Sequence, residues 1–97
     1  MPFELRLPNV VLAAAWKVKI RDKERNEEPH VSILFKGGTV YRFGLRKQSF
    51  LDAQPDPRNV PDEVTEFVVE HLNEFIVNWD RLYPENPVSS VGDDDNE

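Results

Sequence analysis

The sequence predicts an α+β domain: a small antiparallel sheet of three or four strands with one long C-terminal helix packed on one face. Three observations predict it. Residues 16 to 21 alternate strictly, with Trp16, Val18 and Ile20 against Lys17, Lys19 and Arg21. Two more alternating segments flank the pair Gly37-Gly38, as a hairpin requires. From Val64 to Leu82 the apolar residues Val64, Phe67, Val68, Leu72, Phe75, Ile76, Trp79 and Leu82 recur at spacings of three and four, the period of a helix face.

Taken in order, residues 10 to 15 and 49 to 51 are candidates for extending the sheet. The first firm strand spans residues 16 to 21. Residues 22 to 29 contain no apolar side chain except Pro29 and read as an exposed loop, long enough to carry function. The second strand, residues 30 to 36, turns Val31, Ile33 and Phe35 inward and His30, Ser32, Leu34 and Lys36 outward. The third runs over residues 40 to 45. A two-residue loop at Gly37-Gly38 would set Arg42 beside Ile33. A three-residue loop, residues 37 to 39, pairs Phe35 with Tyr41 and leaves Arg42 and Arg46 outside. The latter is expected, because burying an unpaired guanidinium is the larger penalty. Residues 53 to 61 hold three prolines and connect to the helix, with Asn59 or Val60 as cap and Asp62-Glu63 complementing the helix dipole in its first turn. Pro84 ends that helix. The reading is therefore a single domain over residues 1–84 and a disordered acidic tail over 85–97, Asp93-Asp94-Asp95 included.

Charge divides the chain. Residues 1 to 50 hold ten Lys/Arg against five Asp/Glu, and residues 51 to 97 hold two against thirteen, so a net −6 conceals a basic half and an acidic half. With no Cys, disulfides, thiolate ligands and a Cys nucleophile are excluded. The longest apolar run, residues 10 to 16, falls far short of the roughly 20 residues that span a bilayer, and its charged flanks are unlike a signal peptide. A cytoplasmic protein without membrane contact is expected.

Chemistry-bearing residues are few. Glu27-Glu28-Pro29-His30 places carboxylates before a histidine held by a proline, a pattern open to acid/base work or metal ligation. The only other histidine, His71, lies on the opposite element beside the apolar stripe, so no metal site and no cofactor are expected. Ser32, Ser49, Ser89 and Ser90 lack the glycine-rich elbow of a nucleophile, and Gly37-Gly38 lacks the Lys-Ser/Thr that follows a phosphate loop. The basic outer face, Lys17, Lys19, Arg21, Lys36, Arg42 and Arg46, together with His30, is the candidate binding surface. It suits an acidic protein partner, with nucleic acid as the second choice.

The segment Pro29-His30-Val31-Ser32-Ile33, the following Lys36-Gly37, and the closing Asn78-Trp79-Asp80-Arg81-Leu82-Tyr83-Pro84 resemble the small bacterial domain-of-unknown-function family 4160. Glu28 stands where that family's motif has its first proline, and Ser32 where it has its second histidine. The resemblance implies a sheet-plus-helix fold and a toxin–antitoxin-like genetic setting. It transfers no catalytic residue. The functional expectation is a non-enzymatic bacterial protein-interaction module, possible settings being toxin–antitoxin-like or phage-related systems. The alternative is a small metal-independent ribonuclease in which His30 is the acid/base and Arg21, Arg42 and Arg46 hold phosphate.

Overall fold

The computed structural model describes residues 3–24 and 26–88. Among them, β1 (Phe3–Leu5), β2 (Trp16–Ile20), β3 (His30–Phe35) and β4 (Thr39–Gly44) form one antiparallel sheet in the order β1-β2-β3-β4, accompanied by helices α1 (Val10–Ala15), α2 (Asp62–Glu70) and α3 (Leu72–Leu82). The fold is α+β. Its core follows from strand alternation: Val18 pairs with Ile33, Ile33 with Tyr41 and Val31 with Phe43, and all five are buried together with Val64, Phe67, Val68, Phe75 and Trp79 of the helices.

Four elements differ from the sequence expectation. Residues 10 to 15 form α1 and do not extend the sheet: the Asn9 side chain accepts hydrogen bonds from the Val11 and Leu12 N–H groups, and three successive alanines favour helix. The fourth strand is instead β1, whose Phe3 and Leu5 pair with Ile20 and Val18. At the other edge, Phe50 makes a bridge to Phe43, so the segment at 49 to 51 does prolong the sheet by one residue.

The hairpin loop is three residues long but begins one residue earlier than expected, at Lys36, so that Phe35 pairs with Thr39. Gly37 and Gly38 both take positive φ, 96° and 98°, which suits them to the end of the loop and returns β-branched Thr39 to the strand. The shift is two residues, so the inner face survives: Tyr41 and Phe43 still point to the core, and Arg42 lies opposite Ser32.

The single long helix is broken at His71 (φ −107°, ψ 22°). Its Nδ1–H donates to the Phe67 carbonyl at 3.0 Å, the same oxygen that accepts the His71 backbone N–H at 3.1 Å. A side chain that bonds back one turn bends the helix there. Every residue of the expected stripe nonetheless belongs to the core or packs against it.

Beyond Pro84 the chain stays attached. Val88 is buried, its N–H donates to Asp80 Oδ1 at 2.8 Å, and the Trp79 indole donates to the Asn86 carbonyl at 2.8 Å. The ordered body thus extends past the expected boundary at residue 84. The rest of the expected tail, residues 89–97, lies outside the described residues.

Candidate functional site

The loop after β2 doubles back on the start of β3. Lys23 takes φ 65°, and Glu24, expected to be exposed, is buried. Its backbone N–H donates to the Tyr83 hydroxyl at 3.1 Å, while that hydroxyl donates to the Arg21 carbonyl. Burial pushes the Tyr83 phenol above its ordinary pKa, in keeping with a hydroxyl that works as a neutral donor. Farther along, Asn86 Nδ2 donates to the Glu27 carbonyl at 2.7 Å. The C-terminal end of the described chain therefore ties this loop down at three backbone positions, the Arg21 carbonyl, the Glu24 N–H and the Glu27 carbonyl.

Into this clasp projects His30. Sequence alternation placed it outward; it is 0% exposed, with its ring 5.5 Å from that of Trp79. The outer face of the sheet is covered at this end, and Ser32 is buried as well. Nδ1 lies 2.8 Å from the Glu28 carbonyl, an oxygen that can only accept, so Nδ1 carries the hydrogen. Nε2 has no hydrogen-bond partner, nor has Ser32 Oγ. Two carboxylate oxygens face Nε2, Glu24 Oε2 at 3.4 Å and Glu27 Oε1 at 3.8 Å.

Arginines close the surroundings. Arg42 makes a two-pronged contact with Asp52, both bonds 2.8 Å, and its Nη1 reaches Glu27 Oε1 at 3.3 Å. The hydrogen bonds from Arg42 hold the Asp52 carboxyl below its ordinary pKa, and the same bonds raise that of the guanidinium. Arg46 donates to the Val88 and Pro87 carbonyls at 2.9 Å each and lies 3.5 Å from Glu28.

The seven residues singled out in the sequence therefore part company. His30, Arg42 and Arg46 gather at the clasp. Lys17, Lys19, Arg21 and Lys36 have no ion pair or side-chain hydrogen bond among the described residues, and all but the half-buried Lys19 are exposed. In this arrangement the His30 imidazole is closed off from a phosphodiester in solvent. His71 lies 3.8 Å from Glu74 in a separate cluster.

Sequence reasoning missed Glu24, Asp52, Tyr83 and Asn86. One signal was present: Glu24, Glu27 and His30 are each three apart. The others come from residues 10 to 62 positions away, for which local sequence carries no signal. No helix of the described residues is long and apolar enough to cross a membrane. No protein-family model, curated protein or solved structure matches the chain.

Proposed function

We infer that this chain is a non-enzymatic interaction module that docks an acidic protein through the row formed by Lys17, Lys19, Arg21 and Lys36. The observation that carries the reading is their lack of internal partners: Lys17 and Lys19 share one face of β2 by alternation, Arg21 continues that parity just past its end, Lys36 opens the hairpin loop beside its start, and among the described residues no carboxylate forms an ion pair with them. Glu4 stands opposite Lys19 as the one acid in register with the row. Beside it runs a groove lined by Leu5, Arg6, Trp16 and Lys17, and α1 exposes Val10 and Val11 at 79% and 75%. Exposed lysines next to apolar surface suit an acidic, partly apolar protein segment better than a nucleic-acid backbone, which favours arginine forks. As part of the same proposal, we take the setting to be the bacterial cytoplasm and a toxin–antitoxin-like or phage-related system, the setting expected from the resemblance noted in the sequence.

The test reverses Lys17, Lys19 and Lys36 to Glu together and follows a fluorescent polyglutamate peptide and a fluorescent single-stranded RNA by anisotropy. The expected outcome is an unchanged melting curve with peptide affinity reduced at least ~10-fold. RNA binding of steep salt dependence, with RNA turnover lost in His30→Ala, would instead establish the ribonuclease.

A further inference from the structure

The geometry points to a binding site for one divalent transition-metal ion, zinc foremost, formed by His30 Nε2, Glu24 and Glu27. The argument begins with hydrogen-bond inventory. Because Nδ1–H is committed to the Glu28 carbonyl, the ring in its neutral form turns a lone pair, at Nε2, toward two carboxylates. Three acceptors then converge, and Nε2 sits fully buried without a partner. Such a convergence is repulsive unless a cation occupies it. A proton on Nε2 would supply a single N–H to be shared by two carboxylates, whereas a divalent ion bonds all three atoms at once.

The spacing of the ligand atoms and the contact on the far side of the ring agree. Tetrahedral zinc with ligands at about 2.0–2.1 Å sets its ligand atoms about 3.3–3.4 Å apart. Nε2 lies 3.4 Å from Glu24 Oε2 and 3.8 Å from Glu27 Oε1, and one ligand atom from each residue falls within 4.8 Å of the others. The Nδ1–H bond to a backbone carbonyl is the outer contact that ordinarily orients a metal-bound histidine. Glu24 is buried and braced through its backbone by Tyr83, whereas the Glu27 side chain is 43% exposed and can swing the last few tenths of an ångström. Arg42 shares Glu27 Oε1, but a carboxylate has lone pairs enough for both. An imidazole with two carboxylates fits zinc and its first-row neighbours rather than calcium or magnesium. Three protein ligands leave a fourth position toward the exposed Glu27 side. The ion would staple the loop of residues 22–28 to β3. The site reverses the expectation of no metal, which matched His30 only against His71.

The experiment titrates the full, untagged chain with zinc chloride by calorimetry at about pH 7.5, where carboxylates and imidazole are free to ligate. Cobalt(II) is added in parallel to read coordination from its visible absorption. The expected result is one ion per chain with a dissociation constant of about 10 μM or tighter, and intense cobalt bands of low coordination number. Glu24→Gln and Glu27→Gln should each weaken binding at least ~10-fold, and His71→Ala should leave it unchanged. His30→Ala empties a buried space and is a poor test by itself. In the wild type, the ring-nitrogen NMR resonance of His30 Nε2 should move with the first equivalent of zinc. Absence of one-to-one binding, weak binding at many sites, affinity unchanged in Glu27→Gln, or a His30 resonance that stays still would each overturn the site.

Discussion

At the end of the sheet where β3 begins, Arg42 and Arg46 are bound to Asp52 and to the carbonyls of Pro87 and Val88, whereas along β2 and its hairpin neighbour Lys17, Lys19 and Lys36 form no ion pair among the described residues. Both groups belong to the same basic half of the sequence. The difference lies in side-chain chemistry: a planar guanidinium matches carboxylates and paired carbonyls with several fixed donors, while an ammonium on a flexible stem is better left in water. Net charge by segment thus overstates what is available to a partner. The clasp consumes its charge internally and orders a loop; the lysine row keeps its charge outside.

The comparison can be broken most forcefully from within the core of the clasp. Trp79 is fully buried against His30 and Tyr83 and donates its indole N–H to Asn86. Trp79→Ala should lower unfolding free energy by about 3–5 kcal/mol in urea titrations, while exposed Glu70→Ala should stay within about 0.5 kcal/mol. Equal effects would refute the assigned helix face.

A smaller effect isolates the contribution of the attached residues 85 to 88. Ending the chain after Pro84 removes buried Val88, two carbonyl partners of Arg46 and the brace on Glu27, and should cost about 2–3 kcal/mol relative to a chain ending after Val88. If both truncated chains melt alike, the clasp does not depend on its C-terminal strap. Lys17→Ala, on the open row, should change stability by no more than about 0.5 kcal/mol.

A further small effect is electrostatic. Asp52 has a folded pKa below its ordinary value, chiefly through its hydrogen bonds to Arg42. Its contribution is therefore present above the unfolded carboxylate pKa of about 4 and disappears as pH falls through the lower, folded value. Asp52→Asn should flatten the acid limb of the stability curve below about pH 4, by less than about 1 kcal/mol because the pair is partly solvated. A steeper acid limb in the variant would show that the pair opposes folding.

Much of this was legible from residues alone, and the reasons for success and failure are physical. Alternation in residues 16 to 20 and 31 to 35, and the three-and-four spacing from Val64 to Leu82, identify the core because burial acts on every residue of a repeating face. The inner face of β4 was legible even though the hairpin register was not. An error of two residues preserves the face, and the energetic argument that kept Arg42 away from Ile33 constrains parity only. Helix α1 was misread because a short apolar run does not declare its period, and the Asn9 cap that decides it is a single side chain.

By itself, then, the sequence determined the fold class, the apolar faces and the uneven charge, all properties that local periodicity and composition carry. The break at His71, the burial of His30 beside Glu24 and Glu27, and the division of basic residues into bound arginines and open lysines were decided only in three dimensions. Each depends on a partner brought from elsewhere: the Phe67 carbonyl one turn away, or Asp52, Tyr83 and Asn86 across the fold. A hydrogen bond or ion pair between distant residues leaves no period in the chain, because its energy depends on the meeting of two specific groups and not on the repetition of one kind of residue.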